Sequence, residues 1–78
     1  MKTSKFLSDI RDVLEIEQQL TVDTNLREIP EYDSLAAISL VAYVDDNFSK
    51  TLSAQELTKL STLRALMGLI GIEKFEDG

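Results

Sequence analysis

Cysteine and histidine are both absent from this 78-residue chain, and the two absences exclude a good deal of chemistry. There can be no disulfide, no thiol nucleophile, no Ser–His or Cys–His dyad and no zinc site of the usual Cys/His kind. Carboxylates remain as acids, bases or hard-metal ligands. Asp23-Thr24-Asn25 opens like a calcium loop, but Arg27 takes the next ligand position and the glycine is missing, so no metal is expected. Long apolar runs are also absent, and the N-terminus lacks the apolar stretch and cleavage site of a secretory signal. The expectation is a soluble, monomeric, cytoplasmic protein with no membrane insertion.

Basic residues are scarce, 8 against 14 acidic ones, for a net charge of −6. A negative domain repels phosphate backbones, which argues against nucleic acid and for a partner with a basic surface. The imbalance is local. Between Glu28 and Ser49 there is no Lys or Arg, while Glu28, Glu31, Asp33, Asp45 and Asp46 all fall there.

What is present suits one small globular core. The apolar fraction is 44%, ordinary for a folded chain, at a length near the lower limit for unaided folding. Phe6, Ile10, Val13 and Leu14 recur at helical spacing, predicting an amphipathic helix from Thr3 or Ser4 to about Glu17–Gln19. Residues 20–33 show no periodicity and carry the breakers Thr21, Asp23, Thr24, Asn25 and Pro30. Leu26 and Ile29 are set to pin this long loop to the core, and loops of such length in small domains are commonly functional. A second helix starts at Asp33 or Ser34, Asp33 being a good N-cap, and runs to about Phe48. Ala37, Leu40, Val41, Val44 and Phe48 make its core face, and Leu35, Ile38 and Ala42 a second apolar strip suited to a partner.

Ser53-Ala54-Gln55-Glu56 has the spacing of a capping box and predicts a short third helix with Leu57 and Leu60 inward. Ser61 or Thr62 caps a last helix carrying Leu63, Leu66, Met67 and Ile70, stopped by Gly71. No stretch alternates as a strand. The predicted fold is all-α, an irregular four-helix bundle of three longer helices and one short third helix, with a long loop between helices 1 and 2. It occupies residues 1–72, and 73–78 reads as a flexible polar tail.

Ser34 sits where irregular chain becomes helix. With no His, no Ser-x-x-Lys around it and no Gly-x-Ser-x-Gly elbow, it is not a catalytic nucleophile, and no residue of the chain is assigned as catalytic. It is placed to receive chemistry from another protein. A phosphodiester at a helix N-terminus is favoured by unpaired N–H groups and the helix dipole, by about 0.3–1 kcal/mol at an exposed site. The plain alternative is that Ser34 is only a cap or first-turn residue.

Asp33-Ser34-Leu35, followed by an apolar-periodic helix, resembles the phosphopantetheine-attachment motif of acyl carrier proteins. Three residues are a weak match, but the similarity extends further. Ile38, Leu40, Val41 and Val44 match the family's apolar positions after the motif, and Asp45-Asp46-Asn47-Phe48 its acidic end closed by Phe. Leu52, Leu57, Leu60, Leu63 and Ile70 match later apolar positions, and Leu26 a loop anchor, so the likeness runs from about Phe6 to Ile70. The resemblance implies 4'-phosphopantetheine, moved from coenzyme A to Ser34 by a phosphopantetheinyl transferase, with Asp33 and Leu35 flanking the attachment point. Acyl or aminoacyl groups are then held as thioesters on the arm's thiol, in a chain that has no thiol of its own. The implied partners are loading, acyl-transfer or synthase enzymes with basic docking surfaces. They would meet Leu35, Ile38, Ala42, Asp45 and Asp46. Val44, Leu57, Leu60 and Met67 are the candidates for an acyl cleft.

Carriers of the main fatty-acid pathway have Gly shortly before the motif and acidic residues just after it; here Tyr32, Ala36 and Ser39 stand at the corresponding places. An aromatic before Asp-Ser-Leu resembles carriers of specialised pathways. The competing reading is a helical interaction module that keeps the fold but is never modified. A stand-alone hydrolase has no base to work with. Asn47-Phe48-Ser49 matches a glycosylation sequon and is read as chance, since Phe48 is expected to be buried.

Overall fold

The computed structural model describes residues 1–77. Four helices are present: α1 Thr3–Leu14, α2 Ser34–Phe48, α3 Ala54–Thr58 and α4 Leu63–Ile70. Short 3₁₀ turns at Leu26–Glu28 and Ile72–Lys74 complete the described elements, with two isolated β-bridges, Lys2 with Glu76 and Asn25 with Thr62. The all-α architecture with a short third helix is the one the hydrophobic periodicity predicts.

One core joins all four helices. Phe6, Ile10 and Leu14 of α1, Leu40 and Val44 of α2, Leu60, and Leu63, Leu66, Met67 and Ile70 of α4 are buried. No polar or charged residue is buried with them among the described residues, so the interior has no internal charge to compensate. The N-caps of α2, α3 and α4 are chemically explicit, whereas Lys2 before α1 makes no side-chain cap bond. Asp33 Oδ1 accepts from the Ala36 N–H at 2.9 Å, and Thr62 Oγ1 from the Ala65 N–H at 3.2 Å. Ser53 and Glu56 form the reciprocal capping box. Gly71 ends α4 at φ 123°, a left-handed conformation that side chains rarely adopt.

One expectation is corrected. The first helix ends at Leu14 and not near Glu17–Gln19, because Glu15 turns left-handed at φ 56°. The residues after it are good helix formers, but a continued helix would turn Ile16 away from the face of Phe6, Ile10 and Leu14, whereas in the fold both Ile16 and Leu20 are buried. The segment expected as a tail makes contacts with the N-terminus. The Thr3 N–H donates to the Glu76 carbonyl and the Glu76 N–H to the Met1 carbonyl, each at 2.9 Å. Phe75 stacks edge-on against Phe6 at a centroid distance of 4.8 Å, an apolar anchor in a stretch whose average composition is polar. Gly78, the last residue of the expected tail, lies outside the described residues.

The long loop is laced to the connection between α3 and α4. The Leu26 N–H donates to the Ser61 carbonyl at 2.7 Å, Leu63 N–H to Thr24 at 3.2 Å and Arg64 N–H to Val22 at 2.8 Å. With Leu26 and Ile29 buried beneath it, the loop delivers the chain to Asp33 in a fixed place. Its length therefore does not make it slack.

Candidate functional site

Ser34 is the first residue of α2 and is exposed. An α-helix leaves its first amides without intrahelical acceptors. Asp33 satisfies one with its side chain, at Ala36, and its carbonyl accepts from Ala37 at 2.9 Å. The amides of Ser34 and Leu35 remain turned towards the helix entrance. A hydroxyl in this position reaches solvent, beside N–H groups and the positive end of the helix dipole.

A cleft of about 680 Å³ opens next to it, between the loop, α2 and α3. Ser34 and Asp33 stand in its wall with Ala37, Ile38 and Val41 of α2, Leu57 and Thr58 of α3, Leu60, and Arg27 and Tyr32 of the loop. Of the residues expected at an acyl cleft, Leu57 and Leu60 are here. Val44 and Met67 are not. Val44 is one turn beyond Val41, completely buried, and belongs to the core. Met67 is turned away, towards a second groove bordered by Leu7, Val22 and Phe75. Ala37 and Val41, expected to face the core, are half-buried cleft residues. The signal was present in the spacing: 34, 37, 38 and 41 share a helix face with Ser34. For Arg27, Tyr32 and Thr58, which approach from other elements, helical spacing held no such signal.

Arg27 donates from Nε to the Leu60 carbonyl at 2.9 Å, tying the loop's 3₁₀ turn to the end of α3 across the cleft. Partial burial raises the Tyr32 phenol above its usual pKa, opposed by the positive charge of Arg27. The guanidinium and the ring therefore share one local field.

The second strip of α2 is also as expected in its geometry. Leu35 and Ile38 are 72% and 65% exposed, the most exposed large apolar residues of that helix. Ala42, Asp45 and Asp46 continue the line towards its C-terminus and are exposed too. Leu35, Ile38 and Ala42 are spaced by three and four residues, and Asp45 and Asp46 lie three and four beyond Ala42, which puts the five on one side of the helix. Ile38 belongs to both strip and cleft.

The family described as "Phosphopantetheine attachment site" matches residues 4–70. The chain is similar in structure to the holo acyl carrier protein from Geobacter metallireducens, solved by solution NMR. The TM-score is 0.72 and the identity 22%, over 91% of this chain and 83% of that one. At that identity the likeness concerns the fold. No curated protein sequence matches the chain significantly.

Proposed function

Because this chain belongs to the phosphopantetheine-attachment family, a family of carriers that bear the group covalently and are not themselves catalytic, we propose that Ser34 is its attachment residue. The observation that carries the proposal is the position of that serine: exposed, first in α2, at the rim of a cleft large enough for a small ligand. The residues fit the group. The Ser34 and Leu35 amides can meet a phosphodiester oxygen, Asp33 fixes the start of the helix, and the cleft gives the arm room to fold back. When bound, the arm supplies a terminal thiol on which an acyl or aminoacyl group is held as a thioester.

A phosphopantetheinyl transferase would load Ser34, since the chain has no His to activate the hydroxyl and Asp33 Oδ1 is engaged with Ala36. Enzymes that load or use the cargo would grip the strip of Leu35, Ile38 and Ala42, with a basic group meeting Asp45 and Asp46. Residues 34–44 contain no charged side chain, so this grip would be largely apolar near Ser34 and electrostatic only at the far end. Such a surface fits a specialised pathway in the cytoplasm better than a partner that relies on acidic residues along the whole helix.

Intact mass after incubation with coenzyme A and a broad-specificity phosphopantetheinyl transferase tests the attachment. The wild type should gain one phosphopantetheine and Ser34→Ala none. A folded wild type that gains nothing with several transferases would return Ser34 to a plain first-turn residue and favour the unmodified interaction module.

A further inference from the structure

Arg27 is the only Lys or Arg between Arg11 and Lys50, and it stands in the wall of the cleft that also holds Ser34. Its Nε is committed to the Leu60 carbonyl, which fixes the plane of the guanidinium. It takes part in none of the ion pairs found among the described residues, which are Met1 with Glu76, Lys5 with Asp9 and Arg64 with Asp23. The terminal nitrogens thus remain available, on a fork that matches a carboxylate bidentately. Tyr32 and Thr58 add two hydroxyls to the same wall. Resting on the attachment reading above, we infer that this cleft selects a short acyl group ending in a carboxylate, received by Arg27.

The alternative occupant is a plain alkyl chain, and the wall argues against it. Leu57, Leu60, Val41, Ala37 and Ile38 would accept the methylenes. An alkyl end lying over Arg27 would strip water from a cation and give nothing back, a cost that an acceptor removes. A carboxylate end keeps the apolar contacts along the chain and pairs the charge. The lining sharpens the contrast, because Arg27 is the one Lys or Arg among the residues that form the cleft wall. Among the lining side chains, Arg27 is the one that offers a carboxylate a full opposite charge.

The test compares two four-carbon cargoes on the full-length protein, butyryl and succinyl, each loaded from its coenzyme A derivative by the transferase. Intact mass first establishes loading at Ser34 in both. NMR then follows the Arg27 Nε–H and the backbone amides of Arg27, Tyr32 and Leu60 in the apo, holo, butyryl and succinyl forms. The expected result is a shift of these signals in the succinyl form alone, reduced by added salt as for any partly exposed ion pair. In Arg27→Lys, which keeps the charge but not the fork, the shift of Tyr32 should shrink, and in Arg27→Gln it should vanish. Equal shifts for butyryl and succinyl overturn the inference, and so does an Arg27 signal that has moved fully in the holo form, which would put the guanidinium on the phosphodiester. The wild-type comparison decides even if a variant does not fold. Failure of the mass gain overturns the attachment reading and this inference with it, whereas a mass gain without the selective shift overturns the inference alone.

Discussion

Tyr43 and Asp9 show how much a single pair of side chains can hold in a chain with few polar anchors. The Tyr43 hydroxyl donates to Asp9 Oδ2 at 2.8 Å, and Lys5 Nζ donates to Oδ1 at 2.7 Å. Burial alone would raise the Asp9 pKa, but the bonds from Lys5 and Tyr43 outweigh it and hold the carboxyl below its ordinary 3.8. Burial and the Asp9 carboxylate hold the Tyr43 phenol neutral well above the usual tyrosine range. A depressed carboxyl stabilises the fold fully above its unfolded pKa and loses that contribution as pH falls through the folded value. Tyr43→Phe should therefore cost about 1 kcal/mol at neutral pH, the usual scale of one hydrogen bond. In chemical denaturation the gap from wild type should narrow below pH 3.8. A gap that stays constant down to that range would mean that ring packing, and not the bond to Asp9, sets the cost.

Among the elements, α3 is the one whose stability is least secured by length. Five residues cannot sustain a helix on backbone bonds alone, so its capping box and the burial of Leu60 beside it carry the segment. Glu56 is held below its ordinary pKa first by the Ser53 backbone N–H and then by the Ser53 hydroxyl. The box is intact above the ordinary value of 4.5 and weakens as pH falls below it. Ser53→Ala should raise amide exchange across residues 54–58 at neutral pH while leaving α1 and α2 protected. If exchange rose equally in all helices, α3 would be part of the global unfolding unit and could not move independently at the cleft. Leu57 and Thr58 make that distinction matter, since they form one wall of it.

The molecule as a whole is closed by its termini. Phe6, Phe48, Phe75 and Tyr43 form one aromatic cluster, with Phe75 5.3 Å from Phe48 and 4.8 Å from Phe6 between ring centroids. Lys74 Nζ donates to the Phe48 carbonyl at 3.3 Å, capping the end of α2. Four of the five aromatic residues are thus gathered at one end, and the fifth, Tyr32, stands by Ser34. Phe75→Ala should lower stability by about 2 kcal/mol, less than the 3–5 kcal/mol of a fully buried Phe because Phe75 is only half-buried. Thermal melting checks this. A change within experimental error would mean that the closing segment rests on the surface without contributing to the core.

Read alone, the sequence determined the four helices and the caps that open α2, α3 and α4. Each of these is local: Asp33, Ser53 and Thr62 announce helix starts by chemistry within three residues, and Leu35, Ile38 and Ala42 announce an exposed strip by period. Even the place of Ser34 at the head of α2 follows from Pro30, Asp33 and the apolar pattern behind them. Tertiary structure decided what distance along the chain concealed. The left-handed Glu15 ends α1 early and Ile16 and Leu20 are buried beyond it, while Phe75 draws a polar-looking tail onto Phe6 from the far end of the chain. The cleft beside Ser34 likewise keeps Leu57 and Leu60 of the four expected residues, but has Arg27, Tyr32 and Val41 in its wall where Val44 and Met67 were expected. Which side chains line a cavity depends on how a loop, α2 and α3 meet in space, and no single periodicity contains that meeting.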